Sequence, residues 1–309
     1  MKTPLVLDVD TGIDDSLALL YATASDRADL MAVTTCAGNT DLDSTTRNTL
    51  SVLELAGAGQ VEVAKGRPEP LVRGLVTAPQ AHGPGGLGRA VLPAPAASPS
   101  LRSAAELIVE SAHGRPGELT LVALGPLTNV AVAVQAEPRL PRLLKRLVIM
   151  GGGLQNDWGL EAGGGLRSGD GAGPTADRNT SVDPEAAAIV YREFGRAEAQ
   201  LPLVIGLDVT RTVKLLPEDL ARLRTRAGGV PLTRFVEGTL SFYFDYHEKR
   251  YGFRGAFMHD PFVVGAALDP GLLDSRPMPV TVEAEADVAF SGAGDLFIRR
   301  LIDRLVALA

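Results

Sequence analysis

The chain has 309 residues, 45% of them hydrophobic, and a formal net charge of −7 with no basic run to set against it. That length supports a sizeable core, and the acidic balance argues against a nucleic-acid or membrane-surface partner while suiting a small neutral or cationic substrate. Cys36, in the apolar run LMAVTTC, is the only cysteine, which excludes a disulfide framework and a thiolate metal cluster.

The N-terminus, MKTPLVLDVD, carries too short an apolar stretch for a signal peptide, and no later run reaches the length of a membrane span. A cytoplasmic location is expected. No linker divides the sequence, so residues 1–309 are expected to form a single α/β domain.

The first apolar run, LVLDV, stops at four carboxylates, Asp8, Asp10, Asp14 and Asp15, with Gly12 between the pairs. Four like charges within eight residues repel one another unless some stay protonated or a cation sits among them. Hard divalent cations take oxygen ligands, and calcium tolerates irregular carboxylate geometry better than magnesium. The plainer alternative is that Asp14 or Asp15 simply caps the helix DDSLALLYATA.

The following elements alternate. DLMAVTTC precedes DSTTRNTLSVLELAG, and VEVAKG precedes a long loop and SAAELIVESAHG. LTLVALG precedes PLTNVAVAVQA, RLVIMGGG precedes a long loop and DPEAAAIVYREFG, and LPLVIGLDV precedes PEDLARLRTRAGG. This rhythm predicts an open, mostly parallel twisted sheet flanked by helices on both faces, with ligands beyond the carboxyl ends of the strands. Asp183 followed by Pro184 and Glu185 marks a helix start. The Gly-rich, aperiodic segment 151–177 reads as a long loop, suited either to a lid or to a surface excursion without a role. His113 is placed at a helix end, facing solvent.

Taken together, DVDTGIDD, CAGNT ending at Thr40, HGPGGLG from His82, ALGPLTNVA around Gly125, MGGG from Met150, RNTSVDPEAA from Arg178 and FMHDP ending at Pro261 form an ordered set. It resembles the inosine-uridine preferring nucleoside hydrolases, which cleave ribonucleosides to ribose and a free base. The resemblance runs from residue 5 to about residue 275 and implies a Rossmann-like nucleoside hydrolase fold with a bound Ca2+. It further implies that Asp10 holds both the calcium and the attacking water as general base. Asp15, the Leu124 carbonyl and Asp260 would complete the metal shell, with Asp14 on a ribose hydroxyl and Asp8 in a supporting place. Asn39 and Asn179 would hydrogen-bond the sugar, as suits amides that both donate and accept. Met150 would line the substrate site, His259 would serve the leaving base, and His82 would lie near the base at the pocket mouth. A nucleoside salvage or catabolic enzyme that assembles as a homodimer or homotetramer is the corresponding expectation.

Departures from the family pattern concern specificity. Asp177 stands where relatives carry Glu against the ribose 5′ end, followed by Arg178 where an aromatic or apolar residue is common. A family Asn within the Gly-rich loop has only Asn156 as its candidate, and Trp158 of that loop either stacks on a base or anchors the loop. Tyr251 matches a tyrosine used near the base, whereas His247 replaces a second aromatic. The stretch VTVEAEADVAFSGAGDLF after Pro279 is read as too short for the usual hairpin before the last helix.

Two other functions share parts of this pattern. Asp8-Val9-Asp10-Thr11-Gly12 after an apolar strand also resembles the opening of haloacid dehalogenase-type phosphatases, although the required Lys and later acidic pair are not evident. A non-catalytic calcium-dependent ribose or nucleoside binder is the other, made plausible by Asp177 and the altered loop.

Overall fold

The first strand, β1 (Thr3–Val9), is apolar on both faces because helices cover both: Leu5, Leu7 and Val9 enter one core layer and Val6 the other. The computed structural model describes residues 2–152, 177–197, 199–281 and 284–309. After β1 come α1 (Ile13–Ala24), β2 (Ala28–Thr35), α2 (Leu42–Leu55), β3 (Glu62–Lys65), α3 (Pro79–His82) and α4 (Ala104–Gly114). Next are β4 (Thr120–Ala123), α5 (Thr128–Ala136), α6 (Leu140–Leu143) and β5 (Arg146–Met150). Then follow α7 (Arg178–Val182), α8 (Pro184–Arg196), β6 (Leu203–Ile205), α9 (Leu207–Thr210), β7 (Lys214–Leu215), α10 (Pro217–Ala227) and α11 (Pro231–Tyr251). The chain closes with β8 (Ala256–Phe257), α12 (His259–Leu268), β9 (Leu273–Thr281), β10 (Ala284–Gly292) and α13 (Gly294–Leu308).

Eight strands pair in the order β3-β2-β1-β4-β5-β6-β10-β9, and β7 pairs with β8 in a separate small ribbon. Every pairing of the large sheet is parallel except β9 with β10. This is the mostly parallel, helix-flanked sheet that the sequence predicts. The chain runs outward from β1 to β3 and then returns to the other side of β1 with β4. The strand order therefore reverses between β1 and β4, and the carboxyl ends of those two strands open a crevice. Leu17, Leu240, Val263 and Leu301 belong to the layer on one face, with Ile108, Val130 and Val190 on the other. Residues Ile13 to Ala22 of α1 are all buried, so even its first turn, with Asp14 and Asp15, lies inside the molecule.

The expectation of a missing hairpin is corrected: β9 and β10 form an antiparallel pair directly before the last helix. Its first strand begins at Leu273, ahead of Pro279, where Pro277 and Pro279 mask strand character in the sequence. Proline is tolerated there because β9 is the outer strand of the sheet. No helix among the described residues is long and apolar enough to cross a membrane.

Candidate active site

Asp10 emerges directly after β1, where the chain turns through Gly12 into α1. Asp15 ties this turn together: its Oδ1 accepts the Asp10 N–H at 3.2 Å and its Oδ2 accepts the Gly12 N–H at 2.9 Å. The capping role therefore falls to Asp15, which satisfies amides at the helix start while keeping its carboxylate in the cluster. Asp10 is held from the other side, its Oδ2 accepting the backbone N–H of Asn39 at 2.7 Å. A Cβ on Gly38 would lie 2.1 Å from that same oxygen, so the loop after β2 requires glycine for this close approach.

Asp260 reaches the same place from the first turn of α12. Oxygens of Asp14, Asp15 and Asp260 lie within 4.8 Å of one another, and all three residues are buried. Asp15 sits between Asp10 and Asp260, in side-chain contact with both. Burial, followed by the charge of Asp15, pushes Asp14 up to about 8. Asp10 is raised well above the ordinary carboxylate range by burial and by Asp15, and Asp260 by burial and by Asp14. The Asp14 Oδ1 is buried without a hydrogen-bond partner. Converging buried carboxylates match the donor set of a hard divalent cation, so the residues present fit a metal, and the orphaned Asp14 oxygen is left for a further ligand.

Asp8 points away from the cluster, its Oδ1 accepting from Thr34 Oγ1 at 2.6 Å and Asn129 Nδ2 at 2.8 Å. Burial raises it to about 6. Its backbone carbonyl accepts the Leu124 N–H at 2.8 Å, which registers the end of β4 against β1.

Around the carboxylates lie amides and carbonyls. Asn39 Nδ2 donates to Asp15 Oδ2 at 3.2 Å. Asn179 Nδ2 donates to the carbonyls of Leu124 at 2.5 Å and Met150 at 3.2 Å, bringing α7 against the ends of β4 and β5. The Leu124 carbonyl keeps a second lone pair. Asp177 is committed elsewhere: it caps α7, with Oδ1 accepting the Asn179 N–H at 3.2 Å and Oδ2 the Thr180 N–H at 3.0 Å. Arg178 Nη2 donates to the Gly38 carbonyl at 3.4 Å and to the Val76 carbonyl, bracing the loop that carries Asn39. Asn156, Trp158 and most of the 151–177 loop lie outside the described residues.

Histidines and aromatic rings lie beside the carboxylates. His82, at the end of α3, accepts the Ile13 N–H on Nδ1 at 3.1 Å, 3.8 Å from Asp14 Oδ1. Burial pushes it down to about 3, so the ring is neutral. His259 opens α12, and its Nδ1 lies 2.7 Å from Thr210 Oγ1. Burial holds it too well below the usual imidazole range. Tyr243 is turned toward Asp14 and packs 5.7 Å from His82, centroid to centroid. Tyr251, 37% exposed, stands at the rim between His247 at 5.4 Å and Phe257 at 5.3 Å, with the Arg211 guanidinium 5.6 Å from its ring centre. His247 spends both nitrogens on backbone, Nδ1 on the Tyr243 carbonyl at 2.8 Å and Nε2 on the Phe257 N–H at 3.2 Å. It fastens α11 to β8. His113 pairs with Glu137 at 2.8 Å, far from this chemistry in the fold.

The sequence reading missed Tyr243, Thr210 and the bracing role of Arg178. Tyr243, Tyr246 and His247 share one face of α11 at i, i+3 and i+4, a spacing that could have flagged them. Thr210 offered no such signal.

A mostly parallel α/β sheet that brings acidic, amide and imidazole groups together beyond the ends of its strands has the groups needed to bind a hydroxyl-rich small molecule and move its protons. The family model for inosine-uridine preferring nucleoside hydrolase matches residues 5–295. Pyrimidine-specific ribonucleoside hydrolase RihA of Citrobacter koseri is 38% identical over 289 residues, covering 92% of this chain and 85% of that protein. Its counterpart from Shewanella sp. (strain ANA-3) is 36% identical over 290 residues, covering 93% and 85%. Among solved structures, a plant nucleoside hydrolase, the PpNRh1 enzyme, superposes with a TM-score of 0.86 at 27% identity over 99% of both chains. The purine-preferring ribonucleoside hydrolase from Gardnerella vaginalis gives 0.87 at 26% identity, over 99% of this chain and 98% of that one. The chain belongs to the inosine-uridine preferring nucleoside hydrolase family. It is an N-glycosyl hydrolase that splits ribonucleosides into ribose and free base.

Proposed function

We propose that the chain is a calcium-dependent hydrolase of pyrimidine ribonucleosides, working as one domain in which Asp10 is the general base. The observation that carries this reading is the convergence of buried Asp14, Asp15 and Asp260 oxygens within 4.8 Å of one another, beside an Asp10 that Asp15 touches and Asn39 clamps. Asp10, Asp15, Asp260 and the Leu124 carbonyl would hold the calcium. When bound, the ion neutralises the carboxylates and fixes a water and two ribose hydroxyls in place.

Cleavage of the glycosidic bond passes through an oxocarbenium-like sugar, and direct displacement by a single water puts attack and departure on opposite faces. Asp10 accepts the proton of the attacking water. Asp14, free at Oδ1, takes a ribose hydroxyl, while Asn39, Asn179 and Met150 border the sugar. Asp177 acts through Asn179, because its carboxylate is spent on the α7 amides. On the far face, the neutral rings of His259 and His82 offer N–H donors to the electron pair arriving on the base, in the manner of a neutral imidazole electrophile. Tyr251 shields the base at the rim. Displacement by one water predicts inversion at the anomeric carbon.

The pyrimidine preference is supported by the likeness to RihA proteins at 36–38% identity, against 26–27% for the plant and purine-preferring structures. A cytoplasmic role in nucleoside salvage or catabolism, as a homodimer or homotetramer, fits the family. Separation of free base from uridine, cytidine, inosine and adenosine digests tests the reading. Uracil and cytosine release outpacing hypoxanthine and adenine supports it, and faster purine release reverses the specificity.

A further inference from the structure

Three histidines converge behind the base side of the site, and their backbone and hydroxyl partners fix which nitrogen of each carries the proton. At His82 the donor is the Ile13 N–H, so Nδ1 must accept and the proton sits on Nε2. At His247 the order is reversed, because Nδ1 faces a carbonyl and Nε2 faces an N–H. At His259 the only partner of Nδ1 among the described residues is the hydroxyl of Thr210, 2.7 Å away.

A hydroxyl can donate or accept, so burial decides the direction. Thr210 ends α9 beyond β6 and has no exposed surface. Its N–H donates to the Gly206 carbonyl at 3.0 Å, and its Oγ1 has no other partner among the described residues. If Thr210 accepted from an Nδ1–H, its own proton would be buried without an acceptor, which native interiors avoid. Donation from Thr210 to Nδ1 satisfies both groups and leaves the proton on Nε2.

We infer that Thr210 is a positioning residue for the reaction: it fixes His259 in the orientation and Nε2–H tautomer that donates to the departing base. The inference deepens the proposed function and rests on its reading of His259. As the C1′–N bond breaks, its electron pair moves onto the base. The water oxygen bonds C1′ and gives its proton to Asp10. The Nε2–H holds the pair by hydrogen bond and keeps its proton, and the base takes a proton from solvent as Asp10 releases one. Without the hydroxyl, the imidazole is free to take the other tautomer, which turns a lone pair toward the base.

The test compares Thr210→Val, Thr210→Ser and His259→Ala on uridine and on p-nitrophenyl β-D-ribofuranoside, whose leaving group is stable as an anion and needs no donor. Thr210→Val is expected to lower uridine kcat by roughly tenfold to a hundredfold with KM little changed, as loss of an aligned donor does. Turnover of the aryl riboside by Thr210→Val should fall by less than about threefold, and Thr210→Ser should restore uridine turnover, since the hydroxyl is kept. Equal losses on both substrates would show a merely structural role and overturn the inference, as would unchanged uridine turnover. Should His259→Ala depress both substrates equally, the reading of His259 itself fails. A selective His259→Ala with an unselective Thr210→Val refutes Thr210 alone. Circular dichroism of each variant separates loss of fold from loss of function.

Discussion

The backbone N–H of Asn39 donates to Asp10 Oδ2 at 2.7 Å, so the proposed base is aimed by the loop after β2 rather than by its own strand. One oxygen is pinned by that bond while the carboxyl is raised by burial and Asp15. Asp10→Ala removes the proton acceptor without opening a large core cavity. Its kcat on uridine should fall by at least about a thousandfold, the scale of positioned base catalysis, with far-ultraviolet circular dichroism unchanged. Turnover within tenfold of wild type would remove Asp10 from the mechanism.

Gly38→Ala probes the same alignment from the loop. The added methyl would sit 2.1 Å from Asp10 Oδ2, so either the carboxylate or the Asn39 amide must move. We expect kcat to drop by about tenfold or more, because displacement of a reacting group by an ångström is costly, and stability to fall by about 1–3 kcal/mol, since the methyl also meets Pro126 Cδ at 3.0 Å in a buried site. Steady-state kinetics beside a melting curve checks this.

Stability of the chelated protein should depend on pH in a direction set by the raised carboxylates. In the unfolded chain each aspartate ionises near its ordinary value of 3.8, whereas in the fold Asp8 holds its proton to about 6 and Asp14 to about 8. These two groups thus bind more protons in the folded state in between, and the stability they contribute is fully present below the lower value and lost as pH rises through the upper ones. Below about pH 6.5 the buried His82, His247 and His259, neutral in the fold but protonated when unfolded, oppose this trend, so the melting temperature in chelator should fall from about pH 6.5 to about pH 8. Calcium should flatten that decline, because a cation replaces the protons as neutralising charge. Calorimetric scans in chelator and in excess calcium decide it, and a chelated protein whose melting temperature rises across this window contradicts the arrangement.

Much of this arrangement was legible in the sequence because its causes are local. The alternation of short apolar runs with helical segments predicts the parallel sheet, and crowding of Asp8, Asp10, Asp14 and Asp15 announces the site. Asp260 entered only through family resemblance, since no spacing rule joins it to residues some 250 positions earlier. The β9–β10 hairpin was hidden by Pro277 and Pro279, which contradict strand propensity everywhere except at an edge. His247 was expected to help set base specificity, but its two backbone bonds arise from a helix and a strand that only the fold brings together. Asp177 likewise matched a sugar-binding position, and only the course of α7 shows its oxygens turned to the helix amides.

Asp177→Ala should therefore behave first as a lost helix cap. The expected cost is about 1 kcal/mol by urea titration. A rise in KM should accompany it, since Asn179 loses the bond that sets its place against Leu124 and Met150. Asp177→Asn retains cap geometry and should recover most of the stability. If Asp177→Ala leaves stability intact but abolishes binding, the carboxylate touches substrate directly.

Calcium removal and return is the most direct test, because the buried carboxylates of Asp10, Asp14, Asp15 and Asp260 repel one another and a hard cation answers that repulsion. Reducing-sugar release from uridine should be measured on native protein, after exhaustive chelation, and after stoichiometric calcium is restored. Loss of turnover on chelation with recovery by calcium is the predicted result, and undiminished turnover by fully chelated protein would contradict it.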